Sequence, residues 1–555
     1  MHLYGGFLKR RAFVVLLCIM LPVSALISFF LLMDRDDLAL NKKTAASSEI
    51  DEKSGAKHAI DRRQSTSWIS IKSKAPQWIH IDLSDIYAVN RVVLGWDELY
   101  AEEYKIQVST DFDTWINVYQ TSEGDGGIDD ISFKNYKARY VRMYISKNKE
   151  EKEYALNSFK VYEGDALNCV TINKPYPQSI DYKGCIKPNN ATQDEMNSLI
   201  SDYFEHWKKR YVKESNGMTP GGGYYVEMFG TGGDGNEITT SEAHGYGMIV
   251  FSLMAGCDPD AKKYFDGMYN MYDKHRSTIN ANNMSWVIDA TESASKDSDS
   301  ATDGDMDIAY SLLLAHEQWG SDSEIDYLSE AKRIINNGIK ASDMNRDTKR
   351  VMLGDWDTDG YATRPSDWMT SHFHTFSKYT NDDFWNDAVN TVYSLISEIT
   401  QNYSQSTGLM PDFVVDQPPR PADAFFLEAE TDGDYSWNSC RYPWRITMDY
   451  AHYNTIEAKN AMNKVAGWIK VNTGNKPKFT ASTYTLEGRV KENYPSVAFI
   501  APFVTSCIVD KSHQDYLNAG WNYIKYRKST YYDDSINLLC MLVISGNWWN
   551  PADSL

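Results

Sequence analysis

The sequence predicts two domains of different fold class, an N-terminal β-sandwich and a larger, all-α domain. Short segments between residues 56 and 165 alternate apolar and polar side chains, which is the period of a half-buried strand. After about residue 186, apolar residues recur at helical spacing instead. With 555 residues, of which 42% are hydrophobic and 24% charged, the chain is long enough to bury a core in each domain.

The N-terminal residues 1–35 are predicted to form a signal-anchor. Residues 12–33 are an uncharged apolar run long enough to span a bilayer, and the basic residues 9–11 before it should stay inside the cell. The alternative is a cleaved signal peptide, which usually has a shorter apolar run. We therefore expect an extracellular protein that is tethered to the cell surface, or secreted if the segment is cleaved. The polar residues 36–55 are predicted to be a linker.

Residues 56–165 are predicted to form the β-sandwich. In the segment WIHIDL, Ile79, Ile81 and Leu83 fall on one face, and YKIQVS and ARYVRMYI alternate in the same way. The segments AIDRRQSTSWIS, PQWIHIDL, VNRVVLGW, YKIQVSTDFDTW, ARYVRMYI and LNSFKVYEG, in this order, resemble the factor V/VIII C-type (discoidin-like) domain. The resemblance implies a jelly-roll sandwich that often binds glycans through loops at one end.

Composition limits the partners and the bound groups. The net charge of −20 argues against nucleic acid and anionic lipid as ligands and is compatible with a cationic one. The aromatic content of 13% suits either a rich core or a cleft that stacks on sugars. Cys169 and Cys185 flank a short loop and form either a disulfide of an exported protein or two free thiols. No cysteine or histidine spacing indicates zinc, so we expect no metal and no cofactor.

The helical domain, residues 166–555, carries its candidate chemistry at three junctions between a loop and a helix. The first is TTSEAHGYGM, residues 239–248. Ser241 or a preceding threonine can cap the helix, which places Glu242 in its first turn. A glutamate at such a position often does no more than complement the helix dipole, so position alone does not make it catalytic.

The second junction is ATDGDMDIAYSLLLAHEQW, residues 301–319. Asp303 can cap this helix, and Asp305 follows it. Calcium is the rival explanation for so many aspartates, but an EF-hand loop needs glycine at its sixth position and an acidic residue at its twelfth. Counted from Asp303, these positions hold Ile308 and Leu314, which argues against calcium in that geometry.

The third junction is FLEAETDGDYSWNSCRYPWR, residues 426–445. Its carboxylates are Glu428, Glu430, Asp432 and Asp434, and its arginines are Arg441 and Arg445. Such a mix of acid, aromatic and arginine side chains is typical of a sugar-binding surface. An amide, Asn438, stands three residues before the first arginine.

The three junctions resemble the motifs of glycoside hydrolase family 8. ATDGDMDIAYSLLLAHEQW has every specified position of the family pattern A-[ST]-D-[AG]-D followed by I-A-x-[SA]. TTSEAHGYGM resembles the family's general-acid motif, and CRYPWRITMDY resembles its later arginine–tryptophan segment. The resemblance implies an (α/α)6 barrel, hydrolysis with inversion of the anomeric configuration, and β-1,4-linked substrates such as chitosan, cellulose, mixed-linkage glucan or xylan.

The resemblance also assigns roles to two acidic residues. Glu242 matches the general acid, and Asp303 matches a residue that binds and distorts the sugar beside the scissile bond. A helix N-terminus lowers the pKa of a glutamate. Burial, or a neighbouring carboxylate such as Asp303, would therefore have to raise the pKa of Glu242 again for it to act as an acid near neutral pH.

The base is predicted from the position of the amide. In one subgroup of the family the base is an aspartate where this chain has Asn438, and an amide has no useful proton affinity. A second subgroup, rich in chitosanases and including some glucanases, has asparagine there and its base ten residues upstream. That position is Glu428, the predicted base, and Glu430 and Asp432 are the alternatives.

Further residues are predicted to bind substrate. They are Trp286, Trp356, Tyr435, Arg441, Asp305 and Asn438. Each of the two tryptophans either stacks on sugar rings or belongs to the barrel core. Tyr435 and Arg441 are expected to position the water and Asp303, and a structural salt bridge is the alternative for Arg441. The segment GDWDTDGYATRPSDWMTSHF resembles chitosanase members of the family and places Asp367 near the cleft as well.

These assignments predict an exported, inverting, endo-acting hydrolase of chitosan. The subgroup of the predicted base favours chitosan, and an acidic protein suits a substrate whose amines are partly protonated. The alternatives are an endo-β-1,4-glucanase or β-1,3-1,4-glucanase on the same scaffold and a non-catalytic glycan-binding surface protein. We expect a monomer whose partners are the polysaccharide, a glycan bound by the discoidin-like domain and, through residues 1–35, the membrane.

Overall fold

The computed structural model describes residues 37–146, 150–166, 169–215, 222–228, 237–291 and 298–555. The signal-anchor predicted for residues 1–35 lies outside these residues. In the described part of the chain, no helix has both the length and the apolar character needed to cross a membrane. The chain divides into two compact units, and the division falls between Thr171 and Ile172.

The N-terminal unit is a β-sandwich of antiparallel strands. These are β1 (Lys43–Ala46), β2 (Trp68–Ile69), β3 (Gln77–Trp96), β4 (Tyr104–Ser109), β5 (Ile116–Thr121), β6 (Ile128–Ile145) and β7 (Ala155–Glu163). Their order is β2-β7-β3-β6-β4-β5, and β1 also pairs with β3. The register between the long strands β3 and β6 shifts between Asp82 and Tyr87. Before the shift, β3 pairs with β1, and the part of β6 that faces it pairs with β4. After the shift, β3 pairs with β7. These two groups of strands form the two layers of the sandwich.

The sandwich core follows the predicted alternation of apolar and polar residues, whereas part of the predicted linker is a strand of the sheet. Both isoleucines and the leucine of WIHIDL are fully buried between the layers. The linker predicted for residues 36–55 is wrong, because Lys43–Ala46 pairs with β3. In addition, the Asp37 carboxylate accepts a hydrogen bond from the Val161 amide at 3.1 Å. A strand of four residues has too little alternation for the sequence to reveal it.

The second unit is helical in its described residues. Its helices are α1 (Gln193–Tyr211), α2 (Ser241–Leu253), α3 (Ala261–Lys274), α4 (Thr302–Trp319), α5 (Tyr327–Arg333, continued by a π-helix, Ile334–Asp343), α6 (Thr370–Thr380), α7 (Phe384–Asn402), α8 (Tyr442–Tyr453), α9 (Ile456–Asn472), α10 (Val497–Ser506), α11 (Gln514–Ile524) and α12 (Tyr531–Ile544). Short strand pairs lie in the loops, among them β8 (Val212–Glu214) with β9 (Tyr224–Val226), β10 (Glu237–Thr240) with β11 (Val287–Asp289), and β12 (Val414–Val415) with β13 (Arg420–Pro421).

The even-numbered helices form a closed inner ring. Consecutive members of the series α2, α4, α6, α8, α10 and α12 pack against each other, and α12 packs against α2. Every residue of α10 is buried, whereas α3 buries only one face. Each inner helix packs against an odd-numbered helix outside it. This is the (α/α)6 barrel, and it brings the N-terminal ends of the inner helices together.

The cysteines that the structure describes form no disulfide. They include Cys169 and Cys185, for which the sequence left a disulfide open. Burial raises the pKa of the Cys185 thiol to about 12, so this thiol stays protonated at neutral pH. Among the described residues, no group of three or more histidine, cysteine or acidic side chains is arranged to hold a metal ion.

Candidate active site

Glu242 lies where the sequence places it, in the first turn of α2. The Thr240 hydroxyl caps this helix by accepting a hydrogen bond from the Ala243 amide at 3.3 Å. The Glu242 side chain is only 17% exposed. Its Oε1 accepts a hydrogen bond from the Tyr531 hydroxyl at 3.1 Å, and its Oε2 accepts one from Arg441 Nη1 at 2.6 Å. The carboxyl is therefore engaged inside the protein, unlike a glutamate that merely complements a helix dipole in water.

The surroundings of Glu242 raise its pKa to about 7. Burial is the largest cause, because it penalises the charged form, and the negative charge of Asp303 acts in the same direction. Arg441 and the Tyr531 hydrogen bond lower the pKa without cancelling these effects. Glu242 can thus carry a proton near neutral pH, as a general acid must.

Arg441 connects the acidic residues of the site. It ends the 3-10 turn Ser439–Arg441 just before α8, and it is 3% exposed. Its Nη1 lies 2.6 Å from both Glu242 Oε2 and Asp303 Oδ2, and its Nη2 donates to Asn438 Oδ1 at 3.3 Å. One buried guanidinium is thus shared by two carboxyl groups and an amide, which fixes their relative positions.

Asp303 does not cap its helix. Ala301 is the N-cap residue of α4, and its side chain accepts no capping hydrogen bond. The Asp303 carboxylate instead accepts from the Gly304 amide at 2.8 Å through Oδ1 and from Arg441 through Oδ2. Its side chain is 10% exposed, so it reaches the cleft while being held by the arginine.

Glu428 is held quite differently, on a loop. Its side chain is 44% exposed. Oε1 accepts from Arg364 Nη2 at 2.9 Å, and Oε2 accepts from Asn438 Nδ2 at 2.8 Å. Asn438 therefore joins Glu428 to Arg441, and through Arg441 to Glu242. The predicted acid and the predicted base belong to one hydrogen-bonded network.

Two buried aspartates fix the backbone around this network. Asp432, which is 1% exposed, accepts hydrogen bonds from the backbone amides of residues 427, 428 and 429 at 2.7 to 2.9 Å. Asp412 accepts from the amides of residues 436, 438 and 439 at 2.7 to 3.1 Å. Asp432 is thus committed to holding the loop and is not free to act as the base.

The structure also brings in residues that the sequence did not single out. Arg364 bonds Glu428, and Tyr531 bonds Glu242 from a position 289 residues away in the chain. Trp437 is 39% exposed, and its carbonyl oxygen accepts from the Tyr532 hydroxyl at 2.8 Å. None of these side chains stands in a motif with its partner. The only sequence signal for Trp437 is its place immediately before Asn438.

Asp367 lies beside the network, as the resemblance suggests. It is fully buried, and its Oδ1 accepts from the Ser366 hydroxyl at 2.7 Å. Burial and the charge of Asp303 raise its pKa to about 6, although Arg364 and Arg441 oppose the shift.

Two predicted substrate-binding residues do not reach the cleft. Tyr435 is fully buried, and its hydroxyl points at the carbonyl oxygen of Cys440, 3.5 Å away. Asp305 is also fully buried and accepts from the Met284 amide at 2.8 Å. The prediction that they touch substrate is wrong, because both side chains turn into the packed interior and support backbone there.

The two predicted tryptophans are exposed rather than part of the core. Trp286 is 51% exposed and Trp356 is 38% exposed. The Trp286 carbonyl accepts from the Ser241 amide at 2.9 Å, immediately before Glu242. The loop of Trp356 is joined to the start of α4 by a 2.8 Å bond from the Thr302 hydroxyl to the carbonyl of Met352. The backbone of Trp286 and the loop of Trp356 are therefore each tied to a helix start that carries an acidic residue of the site.

A ring of six inner helices that gathers at one end Glu242, whose pKa is raised to about 7, and the half-exposed Glu428 has the pair of carboxyl groups that an inverting glycoside hydrolase needs. Residues 191–546 match the model of the glycosyl hydrolases of family 8, and the chain belongs to that family. Residues 43–158 match the F5/8 type C domain. The barrel and the discoidin-like sandwich expected from the sequence are confirmed.

Similar proteins cover the whole catalytic unit. An endoglucanase of Bacillus sp. (strain KSM-330) is 43% identical over 382 residues, which is 68% of this chain and 82% of that protein. A β-glucanase of Niallia circulans is 43% identical over 384 residues, 68% of this chain and 91% of that protein. The solved structure of a β-1,3-1,4-glucanase from Paenibacillus sp. X4 is 43% identical, covers 68% of this chain and 99% of its own, and has a TM-score of 0.65.

Proposed function

We propose that this protein is an inverting, endo-acting β-glucanase that cleaves β-1,4 linkages, with Glu242 as general acid and Glu428 as general base. The observation that carries the chemistry is the pairing of a mostly buried Glu242, whose pKa is about 7, with a half-exposed Glu428 in one hydrogen-bonded network. The substrate class is supported by the 43% identity to an endoglucanase and a β-glucanase across the catalytic unit.

The first step of the proposed mechanism is protonation of the leaving oxygen. Glu242 holds a proton near neutral pH and passes it to the glycosidic oxygen as the bond breaks. Once it has lost that proton, the Glu242 carboxylate is stabilised by Arg441, 2.6 Å away. The arginine therefore favours the product of proton transfer, while burial keeps the reactant protonated.

The second step is attack by water on the opposite face of the sugar. Glu428 is exposed enough to hold a water, and Arg364 and Asn438 each bond one of its oxygens. Inversion requires roughly 6.5 to 9.5 Å between the two carboxyl groups, which leaves room for that water. Asn438, which cannot accept the proton itself, orients the residue that does.

Asp303 is proposed to bind the sugar next to the scissile bond. Its Oδ2 is fixed by Arg441, which leaves a partly exposed carboxylate edge at the mouth of the barrel. A carboxylate there accepts hydrogen bonds from sugar hydroxyls and stabilises positive charge as it develops on the ring.

Chitosan is the second candidate substrate. It was favoured by the subgroup of the base and by the acidity of the whole chain, with its net charge of −20. At the site, Arg364 pairs with Glu428, and Arg441 is shared by Asp303 and Glu242, so these carboxyl groups are partly neutralised within the protein. The glucan is preferred as substrate on the 43% identity to an endoglucanase and a β-glucanase.

The F5/8 type C domain supports a further proposal, that the sandwich binds glycan and keeps the enzyme near its substrate. The apolar run of residues 12–33 supports export, with tethering to the cell surface if the run is retained.

The substrate assignment is tested by measuring reducing-end release from barley-type mixed-linkage glucan, from carboxymethyl cellulose and from chitosan under identical conditions. We expect turnover of at least one glucan that exceeds chitosan turnover by about a hundredfold or more, which is the discrimination open to a site built for hydroxyl groups. Rapid chitosan hydrolysis with inert glucans would replace the β-glucanase proposal by the chitosanase one.

A further inference from the structure

A second concave surface lies between the loop that precedes Thr363 and the hairpin of β12 and β13. It is an open depression with a volume of about 550 Å³, within the range of roughly 300 to 1,000 Å³ that is usual for ligand sites. We call it the tyrosine pocket, and its lining residues are Asp359, Tyr361, Tyr403, Asp416, Gln417, Pro418 and Arg420. None of them belongs to the network around Glu242 and Glu428.

The pocket presents aromatic rings beside hydrogen-bonding groups. Tyr361 is 36% exposed and Tyr403 is 39% exposed. Asp359 is exposed at the same surface, and Gln417 contributes an amide. Pyranose rings have an apolar C–H face and a rim of hydroxyl groups, so aromatic faces combined with acceptors and amides match them.

A buried cation holds the two walls of the pocket together. Arg350 is 3% exposed, and its Nη1 donates to the carbonyl oxygens of Tyr361 at 2.9 Å and of Asp416 at 2.7 Å. Its Nη2 donates to Gln417 Oε1. The guanidinium also lies 5.4 Å from the centre of the Tyr361 ring. The walls are thus fixed before any ligand arrives, which limits the entropy lost on binding.

The charges in the pocket argue against an anionic ligand. Arg420 pairs with Asp416 at 2.6 Å and with Asp423 at 3.1 Å, so its charge is satisfied within the protein. Asp359 adds a negative charge at the rim, which disfavours an anionic polysaccharide.

The pocket is continuous with the segments that carry the proposed base. The backbones of Thr363 and Val414 exchange two hydrogen bonds of 2.9 Å. The next residue after Thr363 is Arg364, which bonds Glu428. The tyrosine pocket therefore adjoins the segment that carries Arg364, the partner of Glu428.

We propose that the tyrosine pocket is a distal site for the polysaccharide, which binds neutral β-linked pyranose units away from the bond being cleaved. This inference rests on the proposed function, because the occupant is a further stretch of the glucan substrate. Tyr361 and Tyr403 stack against sugar rings, and Asp359 and Gln417 bond their hydroxyl groups. A site of this kind raises affinity for long chains and leaves short oligosaccharides unaffected.

The test compares a long and a short substrate. In the full chain, Tyr361→Ala combined with Tyr403→Ala should raise KM for polymeric β-glucan about threefold to tenfold, as expected for the loss of aromatic stacking. The kcat/KM for a short β-gluco-oligosaccharide should stay within about twofold of the wild-type value. The Phe replacements at both positions keep the rings and should keep the wild-type KM. Tyr526→Ala removes a ring that is 67% exposed and does not line the pocket, so it should change neither value.

An unchanged polymer KM in the double Ala variant would overturn the proposal, and so would an equal loss on polymer and oligosaccharide. Binding separates this failure from failure of the proposed function. In a Glu242→Gln background, migration through gels containing β-glucan should be slowed less when both tyrosines are alanine. Retardation of both proteins to the same extent would overturn the pocket assignment, whereas absence of retardation in both would count against the β-glucan as substrate and so against the proposed function.

Discussion

Glu242 and Glu428 are the same residue type in opposite surroundings. Glu242 is 17% exposed at the start of a buried inner helix, and its pKa is raised to about 7. Glu428 is 44% exposed on a loop, where a guanidinium and an amide each bond one of its oxygens. In the proposed mechanism, surroundings rather than residue type separate the proton donor, Glu242, from the proton acceptor, Glu428.

The regions around Glu242 and Glu428 also differ in the interactions that fix their backbones. The backbone of Glu242 is fixed by a capped helix inside the ring of inner helices. The Glu428 loop depends on a few polar side chains, chiefly Asp432 beneath its backbone and Arg364 beside its carboxylate. We therefore expect substitutions of neighbouring residues to displace the proposed acid, Glu242, less than the proposed base, Glu428.

The largest expected effect comes from removing the acid. Glu242→Gln keeps the size and the hydrogen bond to Arg441 but has no proton to give, so kcat on polymeric glucan should fall by about 10⁴-fold, the upper end for general acid catalysis. Binding of the polymer should be retained. Steady-state kinetics together with gel retardation measure both quantities, and substantial remaining turnover would show that another group supplies the proton.

The second largest expected effect comes from removing the proposed base, and the neighbouring Glu430 provides the matched control. Glu428→Gln should reduce kcat by about 10³-fold, within the range for general base catalysis. Glu430→Gln changes an exposed glutamate two residues away on the same loop and should leave most of the activity. The opposite pattern would move the base to Glu430.

Removing Asp432, which supports the backbone of the Glu428 loop, should have an intermediate effect on kcat. Asp432→Ala removes three backbone hydrogen bonds from the Glu428 loop. The resulting displacement should lower kcat by about tenfold to a hundredfold. Asp434→Ala, which breaks only a 2.6 Å pair with Lys491, is the control and should lower kcat less than threefold or so. Equal kcat values for the two variants would show that Asp432 does not position the base.

The smallest effect is a shift in pH dependence. The Tyr531 hydrogen bond lowers the pKa of Glu242, so Tyr531→Phe should raise it. Because activity needs protonated Glu242 and is lost as pH rises through its pKa, the basic limb of kcat/KM should move to higher pH. Tyr532→Phe serves as control, since that hydroxyl bonds the Trp437 carbonyl instead. A shift to lower pH in Tyr531→Phe would contradict the proposed protonation state.

Sequence patterns predicted the site best where neighbouring residues determine the geometry. Glu242 stands two residues after the capping Thr240, so its place in a first turn could be inferred from the local sequence. Glu428 was predicted from the resemblance to the subgroup whose base lies ten residues before the asparagine, here Asn438, and the structure joins these two side chains. The two layers of the sandwich followed from strand alternation in the same way.

Prediction failed where the direction or the partner of a side chain depends on the closed ring. Tyr435 and Asp305 lie within the right segments, but packing turns their side chains away from the cleft. Tyr531 reaches Glu242 only because α12 closes the ring against α2. Arg364 reaches Glu428 across a loop that local spacing does not describe.

The assignment of Glu242 as acid and Glu428 as base is tested most directly with a substrate whose leaving group needs no proton. A dinitrophenyl β-glycoside of the matching oligosaccharide is such a substrate, because dinitrophenolate departs unaided. On this substrate, the kcat of Glu242→Gln should recover to within about tenfold of the wild-type value. The kcat of Glu428→Gln should remain at least about a hundredfold below the wild-type value, since water must still be activated. Recovery of the Glu428 variant, or of neither, would contradict the assignment of Glu242 as acid and Glu428 as base.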